Sequence, residues 1–267
     1  MIRAATTLTS LTILAVSALC FRTTPVSAQL MTPPGAAAFN ITPTQVELTR
    51  PGASASVLIR NDSPETLRFR VTAFRWSNSA DGEMVLAETN DVVFFPALFT
   101  VTAGQTRRLR VASNAVASER ELAYRLILEQ LPSEVEAPDK NGVRMLTRLN
   151  VPVFVIPPAR TMTTTLDGLG VADGHVVFDL RNTGTLHVRI GDIVVQARTT
   201  NAELHDEQRL TGWYMLPGET RRYRVPVKPD VCRALASITV TAAFMQTVSM
   251  PRLEEHARVT SASCGAP

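Results

Sequence analysis

The amino-acid sequence predicts an all-β protein built as two β-sandwich domains. Three observations carry this. Short runs with apolar residues at every second position recur along the chain, separated by turn residues such as Asp81-Gly82, Asp173-Gly174 and Pro217-Gly218. No long stretch repeats its apolar residues at the helical period. Pro157-Pro158 interrupts the pattern near the middle, leaving two segments that each suit one sandwich.

Taken in order, residues 29–38 are rich in Pro, Ala and Gly and read as a loose lead-in. Residues 39–48 read as a first strand, stopped by Arg50-Pro51-Gly52, and residues 53–60 as a second, stopped by Asn61-Asp62-Ser63-Pro64. Strands are expected over 67–76, 92–95, 99–101, 108–112 and 124–131, and the last places Tyr124, Leu126 and Leu128 on one face. Residues 132–142 form a polar loop. Beyond the two prolines, strands are expected over 161–166, 175–180, 188–197, 221–227, 238–244 and 255–261. Gly168 and Gly170, followed by Gly174, lack the spacing and the following helix of a dinucleotide fingerprint, and read as a turn.

The most informative stretch is residues 143–157, VRMLTRLNVPVFVIP. Val143, Met145, Leu149, Val151, Val153 and Val155 alternate, with Thr147 as the one soft position. The opposite face carries Arg144, Arg148 and Asn150, then Pro152, Phe154 and Ile156. Such a strand begins half-exposed and ends buried on both faces. It is either a long core strand that overruns its sheet or a strand that keeps an apolar row for a guest.

Residues 1–28 have the form of a secretory leader: Arg3, an apolar run over 8–20, and the small residues Val26-Ser27-Ala28 before the cleavage point. That run is too short to span a membrane, and no other segment is long and apolar enough. Loss of the leader takes Arg3 and Arg22 and no acid, lowering the net charge from +3 to +1. The basic residues are not clustered, so nucleic acid is not an expected partner. Cys20 leaves with the leader, and the remaining Cys232 and Cys264 are expected to pair in an exported chain.

Catalytic chemistry is not written in the sequence. His175, His187, His205 and His256 show no ligand spacing with Cys or carboxylates, so neither a metal nor another cofactor is expected. There is no nucleophile elbow and no P-loop. Glu134, Glu136 and Asp139 share a polar loop and read as a solvated face.

Several pieces, in a fixed order, resemble one family. They are ITPTQVEL at 41–48, LIRN at 58–61, FRW at 74–76, FPALFTVTAGQTRRLRV at 95–111, YRLILEQLP at 124–132 and VPVFVIP at 151–157, with LPGETRRY at 216–223 as a weaker echo. The chain resembles the PapD-like periplasmic chaperones of pilus assembly, in the branch serving archaic, spore-coat-like pili. The resemblance implies two immunoglobulin-like sandwiches, with a leader over 1–28, a first domain over 29–158 and a second over 159–267. It implies a non-enzymatic, periplasmic chaperone that completes pilin subunits by lending them a strand and delivers them to an outer-membrane usher. It places the donor row on Val143, Met145, Thr147, Leu149 and Val151.

The sequence departs from the family where the pilin C-terminal carboxylate is usually held. An arginine on the first strand and a lysine on the donor strand are replaced by Gln45 and Pro152. The anchor is then expected among Arg148, Arg144, Arg110 and Arg125, with Arg148 first because it shares the donor strand and the side of Pro152. The acid of a family interdomain ion pair falls at Glu121 but its arginine falls at Ile156, so no such pair is expected. A competing reading is an exported immunoglobulin-like adhesion or structural module that exposes no donor row.

Overall fold

Alternating side chains bury one face of each strand, and two such faces closed on each other make each half of this molecule. The structure is a computed structural model, described over residues 39–49, 52–79, 81–117, 119–132, 145–199, 204–245 and 252–258. The first half contains β1 (Phe39–Thr42), β2 (Val46–Leu48), β3 (Ser54–Asn61), β4 (Leu67–Asn78), β5 (Met84–Glu88), β6 (Val92–Phe95), β7 (Leu98–Val101), β8 (Thr106–Ser113), β9 (Leu122–Leu131) and β10 (Arg148–Val155). The second contains β11 (Thr164–Ala172), β12 (His175–Asn182), β13 (Val188–Thr199), β14 (Leu204–Thr211), β15 (Tyr214–Met215), β16 (Thr220–Pro226), α1 (Pro229–Ala234), β17 (Leu235–Phe244) and β18 (Leu253–Arg258).

Among the described residues the first sandwich packs a sheet of order β1-β3-β8-β6 on one of order β2-β10-β9-β4-β5, with β7 also paired to β4. Val57, Ile59, Leu109 and Val111 from one sheet meet Phe69, Leu126, Leu128 and Val153 from the other in a single core. Tyr124 is fully buried there, and its hydroxyl donates to Asp91 Oδ2 at 2.8 Å, which satisfies the one polar atom it carries inside. The second sandwich packs β11-β12-β16 on β14-β13-β17-β18, with β15 on β13, around Phe178, Leu180, Ile193, Met215 and Val240. These are two immunoglobulin-like sandwiches.

Both sandwiches use the same buried asparagine. Asn61 and Asn182 follow an arginine at the end of β3 and β12 and are wholly inaccessible to solvent. Asn61 Nδ2 donates to the carbonyls of Glu65 and Val101, and Asn182 Nδ2 to those of Leu186 and Met215. Each Oδ1 accepts the backbone N–H two residues on. One amide thus ties a turn to a neighbouring strand, a task that apolar side chains cannot perform.

Several expectations need correction. Residues 39–48 are not one strand: β1 pairs with β3 in one sheet and β2 with β10 in the other, so the chain crosses between sheets over Pro43–Gln45. Gly168 and Gly170 lie within β11, not in a turn: the register shifts between Asp167 and Gly170, a bulge that uses the positive φ of 68° at Gly168. β5, β14 and β15 are additional strands, because their mixed composition does not alternate. The short α1 starts with Pro229 at its first helical position, where a missing N–H is harmless, and sets the fully buried Cys232 into the second core.

Candidate functional site

β10 positions the site. β9 runs antiparallel along its whole length, from Arg148 opposite Glu129 to Val155 opposite Leu122. On the other edge β2 pairs in parallel with Val153, Phe154 and Val155 alone. The outer edge of residues 148–152 therefore meets no strand among the described residues. Such an edge is a template for another chain. The inward row grades along it: Val151 is buried, Leu149 is half-buried against the first core, Thr147 is half-buried, and Met145 is 67% exposed. Thr147 still receives the Gln130 backbone N–H at 2.9 Å, so the pairing with β9 extends past the strand proper. Val143 lies outside the described residues.

The opposite face of this sheet looks towards the second sandwich; both belong to one compact unit over residues 35–267. Cross-strand from Pro152 is Arg125 of β9, 3% exposed. Its guanidinium carbon lies 3.6 Å from the centroid of the Trp76 ring and 5.3 Å from that of Tyr214 in the second sandwich. Nε and Nη2 are buried without a hydrogen-bond partner. Burial pushes its pKa down to about 10, with Tyr214 acting in the opposite sense, so the group stays charged at neutral pH. The aromatic faces offset about 2 kcal/mol of such a burial, against a desolvation cost of several kcal/mol for an ion. The two adjacent N–H donors have the spacing of the two oxygens of a carboxylate.

The other expected cations stand elsewhere. Arg148 is exposed on β10 and faces Glu129 across the strands, four residues from Pro152. Arg110 is exposed on β8, between Ser56 and Phe95, on the outer face of the opposite sheet. Arg144 lies outside the described residues. Gln45 Nε2 donates to Glu47 at 3.0 Å and Gln45 Oε1 accepts from the Tyr214 hydroxyl at 3.4 Å, while Pro152 is buried.

The sandwiches meet through aromatic rings. Phe154 stacks on His187 with centroids 3.9 Å apart, and Trp76 meets Tyr214 edge-on at 5.3 Å. With Ile156 in place of the family's arginine, Glu121 has an interdomain partner of another kind, which the sequence analysis did not anticipate. His187 Nδ1 lies 2.9 Å from Glu121 Oε1, the His187 backbone N–H donates to the same oxygen, and the Glu121 N–H donates to the Thr185 carbonyl. Sequence reasoning missed this because the partner lies 66 residues away and is of a different type. An adjoining cleft of about 270 Å³ is lined by Gln45, Glu47, Arg160 and Arg189 among others. Among the described residues no group of His, Cys, Asp and Glu is placed to hold a metal ion, and no helix is long and apolar enough to cross a membrane.

Residues 38–160 match the family described as pili and flagellar-assembly chaperone, PapD N-terminal domain. No curated protein matches the chain in sequence. Among solved structures, a chain of the CsuC–CsuE chaperone–tip adhesion subunit pre-assembly complex, from archaic chaperone-usher Csu pili of Acinetobacter baumannii, matches with a TM-score of 0.57 at 15% identity, over 84% of this chain and 100% of that one. The class 5 fimbriae chaperone CfaA matches with a TM-score of 0.55 at 12% identity, over 82% and 98%. A chain of the Salmonella enterica SafA pilin–SafB chaperone complex matches with a TM-score of 0.54 at 12% identity, over 82% and 96%. At these identities the likeness is one of fold.

The Glu121 carboxyl has a pH signature. Burial pushes its pKa above the ordinary 4.5, opposed by the hydrogen bond and charge of His187. The folded chain then binds this proton more tightly than the unfolded chain. Its contribution to stability is fully present below 4.5 and is lost as pH rises through the raised value. The stability of Glu121→Gln relative to the parent should therefore increase as pH rises above 4.5, read as a difference in urea midpoints across a pH series. A difference that is flat with pH would contradict this account.

Proposed function

We propose, because residues 38–160 match the family of pili and flagellar-assembly chaperones through its PapD N-terminal domain, that this chain lends the open edge of β10 to a pilin subunit lacking a strand and then delivers that subunit to an outer-membrane usher. It is an assembly chaperone and not an enzyme. The observation that carries the donor-strand reading is the mismatch between β10 and β2, which leaves residues 148–152 without a strand on one edge among the described residues, beside a graded apolar row. Val151 is already buried in the chaperone's own core, so new burial in a guest falls on Val143, Met145, Thr147 and Leu149. A large apolar side chain in this row contributes roughly 1.5–3 kcal/mol on full burial, before ordering costs.

The test compares guest loss with fold loss. A Met145→Lys, Leu149→Lys double variant should lose co-expressed pilin from the periplasm while the chaperone remains folded by circular dichroism, since lysine there places charge in an apolar trough. Normal pilin yield would sink the assignment.

Arg125 takes the role of carboxylate anchor in this reading. Its support is a buried, unpaired fork beside Pro152, against exposed surroundings for Arg148 and Arg110. Removing the charged partner of a buried carboxylate costs about 2–5 kcal/mol, so Arg125→Ala should weaken pilin capture by well over tenfold. Arg148→Ala, Arg144→Ala and Arg110→Ala should stay near the parent. Parent-like capture by Arg125→Ala would refute the assignment.

The same reading places the mature chain in the periplasm, with residues 1–28 removed and Cys232 bridged to Cys264. Support comes from Cys232, which is disulfide-bonded and fully buried, while Cys264 lies outside the described residues. The intact mass of exported protein should correspond to a chain starting at Gln29 and lighter by two thiol hydrogens. A retained leader, or two thiols that react under denaturing, non-reducing conditions, would overturn the respective part.

A further inference from the structure

We propose that Glu219, in the second sandwich, is a positioning residue for Arg125 in the first. This rests on the reading of Arg125 as carboxylate anchor. Arg125 has no hydrogen bond on Nε or Nη2, so its guanidinium is oriented by the ring beneath it, Trp76, at 3.6 Å. The ring is held in turn by its single polar atom. Trp76 Nε1 donates to Asn78 Oδ1 at 2.9 Å, and Asn78 Nδ2 donates to Glu219 Oε2 at 2.8 Å. That oxygen also accepts the Leu216 backbone N–H at 2.7 Å, and Oε1 accepts from Arg221 Nη2 at 3.0 Å. Arg221 reaches back to the Gly82 carbonyl of the first sandwich and to the Tyr214 carbonyl, beside the other ring near Arg125. Glu219 and Arg221 side chains are each 12% exposed, so water does not substitute freely for either.

The relay is separable from the fold. The turn bearing Glu219 is closed by backbone bonds, Gly218 N–H to Asn182 O and Glu219 N–H to Leu216 O, and by the positive φ of Gly218. Loss of the Glu219 carboxylate leaves these bonds in place. It releases the Asn78 amide, then the indole N–H, and so the surface on which the guanidinium lies. A second sandwich would in this way set the geometry of a site whose cation belongs to the first.

The test observes Arg125 directly. In the full mature chain, the Nε–H resonance of Arg125 is assigned by its loss in Arg125→Ala. Stacked on an indole it should lie upfield in the parent. In Asn78→Ala and Glu219→Ala it should move back towards the ordinary arginine position, with the double variant no further displaced than either single one. Glu219→Gln, whose amide oxygen still accepts from Asn78, should restore it. Acetate, titrated against chloride as control, should shift the parent resonance saturably. The half-saturating concentration should rise about fivefold in the two alanine variants, the scale of one cation–π contact. An unmoved resonance in Asn78→Ala and Glu219→Ala overturns the inference. A parent that does not respond to acetate, with the resonance displaced in both variants, overturns the anchor reading and leaves the positioning intact. Should Glu219→Ala fail to fold, Asn78→Asp, which keeps an acceptor for Trp76 Nε1 but removes the donor to Glu219, decides the matter: a displaced resonance supports the inference and a parent-like one overturns it.

Discussion

A difference in length between two paired strands governs this structure. β10 needs backbone partners along both edges, and β9 supplies one edge throughout. β2 is three residues long and supplies the other only from Val153 to Val155. The buried half of β10 is thereby locked by two neighbours and by Val151, Val153 and Val155 in the core. The remaining half keeps its register through β9 but has no second strand beside it among the described residues, next to side chains that belong in an apolar interior. Isolated edges of this kind are aggregation hazards, and a short open edge next to a rigid half is also what a transient strand donor requires.

The second constraint lies on the reverse face of the same sheet. Phe154 and Pro152 point there because Val151, Val153 and Val155 point into the core; the pleat allows no other choice. Phe154 then stacks on His187, and Pro152 lies beside Arg125. The contact between sandwiches is aromatic and partly charged: Trp76, Tyr214 and Phe154 enclose groups that would be costly to bury alone. Glu121 finds an imidazole although the family's arginine position is Ile156, and Arg125 finds two rings but no anion among the described residues. The first ion is answered within the molecule. The second keeps two N–H donors without a partner among the described residues, at a desolvation cost that the rings offset only in part.

The asparagines at the strand ends explain why such an interface persists. Asn61 and Asn182 fasten turns in both sandwiches by equivalent bonds. The carbonyl of Met215, held by Asn182, adjoins Tyr214, and the Asn182 backbone closes the turn of Glu219. Rigid turns in the second sandwich therefore present Tyr214 and Glu219 to the first at fixed positions. Two domains that moved freely would not keep a guanidinium on an indole.

Much was legible in the sequence because sandwich strands write their burial at period two. The alternation through Val151, Val153 and Val155, the inward Tyr124, Leu126 and Leu128, and the turn residues after each strand are local facts, and they defined the all-β, two-sandwich fold and the strand on which the site is built. Strands without alternation, such as β5, β14 and β15, were not legible, because edge positions do not require it. What tertiary structure alone decided was which charges are buried. Arg110, Arg125 and Arg148 are equivalent as letters, each an arginine in an alternating strand. One faces solvent on the outer sheet, one faces Glu129, and one lies under Trp76 and Tyr214, because strand pairing sets cross-strand neighbours and the second sandwich covers only part of one sheet. Burial and pairing are properties of neighbours distant in the chain, so no local pattern distinguishes these arginines.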